Sequence, residues 1–343
     1  MCSTPLRAET VSSILAIMFA CLVTADFDGA GWDFHRVGSA VGCCLRRLRR
    51  GHYVVTRACE RPEHSFVAAI AGAATTDLPV ETTGMRKRDE DLRILVRSFV
   101  GALPPDAVFS HRSALIVHGL PVPYLERSDV RAEAVSPHYP SRQTDLVIRL
   151  RSLDTEAVTS VGGIPVTSLP QTLIDVARDC PLDFAVAAAD AAVHQGLIAL
   201  EDLRVYSRAH PVRTGRRRID AMLANIDGRR ETVAESICAV RFVEYSIPGF
   251  EPQFVVRDQH GRFLARSDFG NEAAKVLAEF DGAGKYYLDG QDPHRAFEQE
   301  RRREYALRNE GYMVFRIRWR DLFRADVFLK IREAVRRRGV TGD

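Results

Sequence analysis

The sequence predicts a multidomain protein of mixed α/β and α+β class, and three observations lead to that prediction. Its 343 residues are enough for two or three domains at about 150 residues each. With 46% hydrophobic and 27% charged residues, the composition is typical of a folded protein. The apolar pattern also changes along the chain, from a basic segment over residues 31–70 to a helix-rich region over 91–227. The last region, 228–343, has helix and strand patterns in the order α-β-β-β-α-β-α.

Residues 1–30 receive no assigned structure. The apolar run at 11–27 is shorter than the roughly 20 residues that cross a bilayer, so we expect no membrane association. Residues 1–10 carry one arginine and one glutamate, which is a poor start for a secretory signal. A signal peptide, a buried helix and a wrongly assigned start codon all stay open as interpretations.

The cysteines show no C-x-x-C pair and no spacing typical of zinc ligands. We therefore predict reduced thiols in a cytoplasmic protein. The seven are Cys2, Cys21, Cys43, Cys44, Cys59, Cys180 and Cys238.

The basic segment contains "SAVGCCLRRLRRGHYVVTRACERP". Val41, Leu45 and Leu48 are spaced for one face of a short helix, which Gly51 ends before a strand over 52–57. The other helix face would carry Arg46, Arg47, Arg49 and Arg50. This order is typical of the recognition helix and wing of a winged helix-turn-helix, and a solvated basic helix is the alternative. Because the net charge is only +3, affinity for nucleic acid has to come from such local patches.

The region over 91–227 contains a clear strand–turn–strand–helix pattern. Gly162 and Gly163 mark the turn, and Ser168 with Gln171 predicts a capping box at the start of the helix. No group of residues in this region predicts catalysis.

The C-terminal region has well-marked boundaries. Asp292 and Pro293 predict the start of a helix that Gly311 ends. The predicted order is helix 231–246, strands 252–257, 262–269 and 274–281, this helix, strand 312–318 and helix 320–337.

Acidic residues follow two of these strands. Because side chains alternate along a strand, Glu279 and Asp281 share one face with Lys275, and Asp268 approaches Glu279 if the two strands pair. Hard divalent cations such as Mg²⁺ or Mn²⁺ bind such oxygen ligands, and without a cation the carboxylates repel. Glu235, near the start of the preceding helix, is a third candidate. A purely structural alternative pairs these acids with Arg266 or Arg241.

The order Glu235, Asp268, Glu279 resembles the restriction-endonuclease-like PD-(D/E)XK superfamily. The stretches "RSDF", "LAEFDG" and "EQERRREYALRNEGYMVFRIRWRDL" are similar to its branch related to very-short-patch-repair endonucleases. The resemblance covers about 110 residues. It implies that the strand acids Asp268 and Glu279, with Asp281 beside them, bind Mg²⁺ or Mn²⁺ and that Glu235 supports catalysis.

The chain departs from this pattern at one position. The superfamily commonly has Glu-x-Lys, whereas Asp281 follows Phe280 here. Lys285, beyond "GAG", is the predicted substitute, and we prefer it to Lys275, which lies about 13 Å back along an extended strand.

The upstream stretches "VFSHRSALIVHGLPVP" and "GGIPVTSLPQTLIDVARD" resemble actinobacterial proteins related to the AbiEi antitoxin of type IV toxin–antitoxin systems. That resemblance covers roughly residues 40–225. It implies DNA binding through the winged helix and a cognate toxin as a partner.

Two functions follow as hypotheses. The first is a Mg²⁺-dependent DNA endonuclease or nickase with catalytic Glu235, Asp268, Glu279 and Lys285. Its phosphate contacts would come from arginines near the C-terminus: Arg301, Arg302, Arg303, Arg316, Arg318 and Arg320. The second is an antitoxin-like transcriptional regulator with a degenerate, non-catalytic nuclease fold.

Overall fold

The computed structural model describes residues 21–29, 31, 33–57, 59–67, 85–124, 130–281 and 293–339. The chain is of mixed α/β class and divides into two compact units, Met1–Val176 and Ala177–Asp343. The predicted boundary at 227/228 lies inside the second unit. The segment 1–20 and Lys285 lie outside the described residues.

The first unit begins with a small three-stranded antiparallel sheet. Strand β1 (Cys21–Val23) leads into helices α1 (Thr24–Gly29) and α2 (Phe34–Ala40), and strands β2 (Leu45–Arg49) and β3 (His52–Val55) follow as a hairpin. The strand order is β1-β3-β2. Phe27, Tyr53 and Phe66 pack edge-to-face in the core beneath it.

The helix predicted over 41–50 is wrong. Leu45 and Leu48 lie on β2, where a spacing of three residues directs them to opposite faces. Leu45 is in the core with Phe27, whereas Leu48 packs with Val54 on the other side. Gly51 makes the tight turn with a φ of +73°, a conformation that glycine adopts without strain. A helical apolar spacing was thus produced by a strand that is covered on both faces.

The rest of the first unit is richer in strands than predicted. Helix α3 (Met85–Phe99) precedes a six-stranded mixed sheet of order β6-β7-β5-β4-β9-β8. Its strands are β4 (Val108–Phe109), β5 (Ala132–Ser136), β6 (Ser141–Arg142), β7 (Leu146–Leu150), β8 (Val158–Val161) and β9 (Ile164–Thr167), with helix α4 (His111–Val117) after β4. Strands of two residues are too short for a period to be recognised.

The hairpin predicted at Gly162 and Gly163 is confirmed, since β8 and β9 pair antiparallel around it. Helix α5 (Leu169–Asp179) follows, as expected. The Ser168 hydroxyl is buried and has no hydrogen-bond partner among the described residues, so the predicted capping box does not form.

The second unit opens with three helices that the sequence assigns to the middle region. These are α6 (Leu182–His194), α7 (Leu200–Ala209) and α8 (Arg216–Asn225). They are followed by α9 (Val233–Glu244). Two ion pairs join the α6 helix to the α9 region, Asp183 with Arg241 at 2.5 Å and Asp190 with Arg230 at 2.8 Å. These contacts explain why α6 belongs to the same compact unit as α9.

The predicted order α-β-β-β-α-β-α is confirmed. After α9 come β10 (Glu251–Arg257), β11 (Phe263–Asn271), β12 (Val276–Phe280), α10 (Pro293–Asn309), β13 (Met313–Ile317) and α11 (Ala325–Gly339), with a short 3₁₀ helix at Trp319–Phe323. The sheet order is β10-β11-β12-β13. Strands β12 and β13 are parallel, because α10 carries the chain back across the sheet.

Helices cover both faces of this sheet. Phe242 of α9 packs against Phe269 of β11 and Phe328 of α11. Leu307 of α10 shares a buried cluster with Leu277 of β12. Residues 272–275 form a turn in which Lys275 has a φ of +51°, so the prediction that Lys275 lies on the same strand as Glu279 is wrong.

Candidate functional site

Asp268 and Glu279 occupy opposite positions at the end of a strand pair. The antiparallel ladder of β11 and β12 joins Phe269 to Ala278, and the next residues outward are Asp268 and Glu279. Asp268 Oδ2 accepts a 2.6 Å hydrogen bond from the Phe280 N–H, so its half-buried carboxylate is fixed where the ladder ends. The predicted pairing of these two strands is therefore confirmed.

Glu235 lies in the first turn of α9 and is only 4% exposed. Its Oε1 accepts from the Thr232 hydroxyl at 2.8 Å, and its Oε2 accepts from the Glu231 N–H at 3.0 Å and from Gln253 Nε2 at 2.8 Å. Thr232 Oγ in turn accepts from the Glu235 N–H, so the two residues cap the helix reciprocally. Burial raises the pKa of Glu235 above its usual range, and the charge of Asp268 adds to this rise. Glu235 and Asp268 are thus within electrostatic reach of each other.

Glu279 carries an ion pair that the sequence does not predict. Its Oε1 accepts a short hydrogen bond from Arg303 Nη2, and only 14% of the Glu279 side chain is exposed. Arg303 lies on α10, one turn before Leu307, on the face of that helix that packs on the sheet. Its distance of 24 positions from Glu279 explains why no local pattern reveals the contact.

The other predicted site residues are less closely associated. Asp281 lies 3.9 Å from Arg318, and its N–H donates to the Ile317 carbonyl of β13. Lys275 pairs with Glu272 at 2.5 Å. Lys285 falls outside the described residues, so its predicted role stays a prediction.

In the purely structural alternative, Arg266 or Arg241 pairs with the predicted site acids. Arg266 pairs with Glu231 at 3.0 Å. Arg241 pairs with Asp183 at 2.5 Å and with Glu244 at 2.6 Å. Both guanidinium groups therefore have carboxylate partners other than Asp268 and Glu279.

For Mg²⁺ or Mn²⁺, the acids at the end of the ladder amount to at most a two-carboxylate site. In the described part of the chain, one group of three or more metal-ligating side chains has its ligand atoms close together, and none of these acids belongs to it. Magnesium is commonly held by one or two carboxylates, with water and phosphate oxygens completing its shell. Asp268 and Glu279 supply that minimum, and Glu279 would have to share its carboxylate with Arg303.

The predicted DNA-binding arginines of the hairpin fall into two groups. Arg46 pairs with Asp91 of α3 at 2.6 Å. Arg49 donates to the Ser98 carbonyl and lies 4.1 Å from the centre of the Phe99 ring. Arg47 and Arg50, in contrast, are exposed. Arg46 and Arg49 thus hold the hairpin on α3, while Arg47 and Arg50 face solvent.

Near the C-terminus, Arg302 and Arg318 are exposed, as are Arg301, Arg316 and Arg320. Arg303, also predicted to contact phosphates, is bound to Glu279 of the candidate site.

A second cluster was missed by the sequence analysis. One ligand atom from each of Cys43, Cys44, Cys59 and His64 lies within 4.8 Å of all the others. The spacing Cys-Cys-x₁₄-Cys-x₄-His contains no C-x-x-C pair, which is why it matched no zinc pattern. These cysteines are free thiols, and the convergence of the four side chains was not predicted.

Comparison with known proteins gives no match, either to a protein-family model or to a curated protein. None of the helices in the described part of the chain is both long enough and apolar enough to span a bilayer.

Proposed function

We propose that this protein binds DNA and that its second unit is a metal-dependent endonuclease-like domain that cleaves or nicks phosphodiester bonds. The observation that carries the proposal is the placement of Asp268 and Glu279 opposite each other where the β11–β12 ladder ends. The buried Glu235 feels the charge of Asp268, which adds to the rise of its pKa that burial causes. The α-β-β-β-α-β-α order around the pair supports the same proposal.

Asp268 and Glu279 are the residues that would hold Mg²⁺ or Mn²⁺. A divalent ion held by these residues would supply Lewis-acid chemistry, namely polarisation of a phosphodiester and a lowered pKa of a bound water molecule. The Phe280 N–H keeps the Asp268 carboxylate in place. Glu235 is anchored by three hydrogen bonds and adds negative charge beside Asp268. Arg303 supplies the positive charge that the superfamily's lysine would supply, because the residue at that position here is Asp281.

The first unit is the proposed DNA-binding part. Its β-α-α-β-β order and its β1-β3-β2 sheet support a winged-helix-like segment whose β2–β3 hairpin acts as the wing. Arg47 and Arg50 would contact phosphates from this hairpin. From the resemblance of its upstream stretches to AbiEi-related antitoxins, we further propose a role in a toxin–antitoxin or defence system with a cognate toxin.

A transcriptional regulator with a degenerate nuclease fold is the second candidate. One specific observation favours it: the guanidinium of Arg303 already neutralises Glu279, and Asp281 replaces the lysine. In that case the acids and Arg303 stabilise the domain and perform no chemistry.

A nicking assay on supercoiled plasmid separates the two functions. The full-length protein is incubated with Mg²⁺, Mn²⁺ or EDTA, beside Asp268→Asn and the matched control Asp326→Asn at an exposed position of α11. We expect metal-dependent nicking in the wild type and the control, and a loss of at least about 100-fold in Asp268→Asn. A gel shift on its own promoter without nicking in either metal would establish the regulator instead.

A further inference from the structure

We propose that Cys43, Cys44, Cys59 and His64 form a structural zinc site that fastens the β2–β3 hairpin to the segment following it. This inference is independent of the proposed nuclease and DNA-binding functions, because it rests on the geometry of four other side chains.

Three of the six distances between the ligand atoms match those of a tetrahedral zinc site, and all six lie within 4.8 Å. Cys43 Sγ lies 3.8 Å from Cys59 Sγ, and His64 Nδ1 lies 3.8 Å from Cys44 Sγ and 3.4 Å from Cys59 Sγ. With Zn–S of about 2.3 Å and Zn–N of about 2.0–2.1 Å, a tetrahedron has edges of about 3.8 Å between sulfurs and about 3.5 Å between sulfur and nitrogen. A zinc ion therefore fits between these atoms with little movement of the chain.

The histidine is oriented for binding through Nδ1. Its ring is 2% exposed, and Nε2 lies 3.5 Å from Ser39 Oγ. Ser39 Oγ uses its own hydrogen to donate to the Arg36 carbonyl at 2.7 Å, so its oxygen is left to accept from Nε2–H. In that tautomer Nδ1 carries no hydrogen and faces the sulfurs, and Ser39 would be the outer hydrogen-bond partner that a zinc-bound histidine commonly has.

The surroundings also suit a site of net negative charge. Three thiolates and a neutral histidine around Zn²⁺ leave one negative charge. The Arg57 guanidinium compensates it, since Nη2 donates to Cys43 Sγ at 3.4 Å and Nε donates to the Cys43 carbonyl at 3.1 Å. Cys44 is fully buried beside Phe27 and Tyr53, so the site is closed on its inner side.

Four protein ligands leave no open position, which is typical of structural rather than catalytic zinc. Cys43 and Cys44 lie between α2 and β2, Cys59 follows β3, and His64 ends the 3₁₀ helix Pro62–His64. One ion would thus join α2, the hairpin and this 3₁₀ helix around a small core. Small folds of this kind gain much of their stability from a metal.

The direct test is the zinc content of the full-length protein. The protein is produced in zinc-supplemented medium, dialysed, and measured by inductively coupled plasma mass spectrometry. We expect about one zinc per chain, and after replacement by Co²⁺ the visible absorption band of tetrahedral cobalt–thiolate coordination. Both readouts use the wild type, so they remain decisive if a variant fails to fold. A metal content below about 0.1 per chain together with no cobalt band would overturn the proposal.

Variants then test the individual ligands. Cys59→Ser and His64→Ala should lower the bound zinc at least about tenfold, and Ser39→Ala should weaken zinc affinity about 10–100-fold through the histidine. Cys180→Ser is the matched control, because Cys180 is also a buried free thiol but lies outside the cluster. Unchanged zinc in Cys59→Ser, or a Cys43–Cys59 disulfide found by mass spectrometry in freshly purified protein, would count against the site.

Discussion

Glu235 combines burial with three hydrogen bonds to its carboxylate, and its raised pKa makes a specific prediction. Glu235→Gln should lower the free energy of unfolding at pH 7 by about 1–3 kcal/mol, because the amide keeps only one of the two acceptor oxygens and at least one of the three hydrogen bonds to the carboxylate is lost. Urea denaturation of the full-length protein measures this. Glu231→Gln is the control, since its exposed pair with Arg266 is worth at most about 1 kcal/mol.

The sign of the pH dependence follows from the direction of the pKa shift. The folded state holds the proton of Glu235 more tightly than the unfolded state does. Stability therefore rises as the pH falls from neutral through the raised pKa, and the gain levels off below the ordinary value of 4.5. Subtracting the Glu235→Gln curve from the wild-type curve isolates this contribution. A difference that does not change between pH 7 and pH 4 would contradict the assignment.

Arg303 is the residue on which the two proposed functions differ most. If its guanidinium neutralises charge during phosphodiester cleavage, Arg303→Ala should slow metal-dependent nicking by about tenfold or more, which is about 1.4 kcal/mol. Arg303→Lys should retain most of the activity because it retains the charge. Arg308→Ala, on the same helix and in an exposed pair with Glu304, serves as the control. Faster nicking by Arg303→Ala would show that the ion pair with Glu279 blocks the site.

At the scale of elements, the β2–β3 hairpin divides its arginines between two roles. Replacing Arg47 and Arg50 by alanine should weaken DNA binding and reduce the slope of log affinity against log salt by about 2. The free energy of unfolding should change by less than about 0.5 kcal/mol, because both side chains are exposed. Fluorescence anisotropy at several salt concentrations and urea denaturation give the two readouts.

The matched pair on the same hairpin is Arg46 and Arg49, replaced together by alanine. These side chains contact Asp91, Ser98 and Phe99 of α3, so we expect the variant to have a lower free energy of unfolding. The slope of its log DNA affinity against log salt should stay close to that of the wild type. Equal salt slopes for the Arg47/Arg50 variant and the wild type would exclude the hairpin as the wing.

Much of the second unit could be predicted at the level of elements. Pro293 and Gly311 limit α10 as expected, and the alternation on β12 directs Leu277 and Glu279 to the helix α10. Helix-boundary residues and strand alternation depend only on neighbouring positions, so they can be recognised in the sequence alone. The local signal fails for strand β2. Leu45 and Leu48 are three positions apart, as on one face of a helix, but the segment forms a strand whose two faces are both covered.

For the whole molecule, the division after Val176 assigns α6 to the second unit. Asp190, 1% exposed, accepts from Arg230 Nη1 at 2.8 Å and from the Asp227 N–H at 2.7 Å. Asp190→Ala removes the carboxylate partner of the buried Arg230 charge and the acceptor of the Asp227 N–H, leaving Arg230 Nη1 only its hydrogen bond to the Asn225 carbonyl. It should lower the free energy of unfolding by about 3–5 kcal/mol. Hydrogen exchange should rise in α6 and α9 together.

Asp220→Ala provides the comparison, because the pair of Asp220 with Arg216 is about half exposed and contributes at most about 1 kcal/mol. If Asp190→Ala left exchange in α9 unchanged, α6 would not stabilise the unit that contains the acidic site.

The sequence by itself determined the order of the elements over residues 228–343 and the strand face that carries Glu279, because caps, glycines and strand alternation act between neighbours in the chain. Only the tertiary structure decided which arginines are free to meet a ligand, that Arg303 neutralises Glu279, and that three cysteines and a histidine converge. Those contacts join residues 5 to 49 positions apart, and the free energy that selects them comes from packing and burial, which no local pattern encodes.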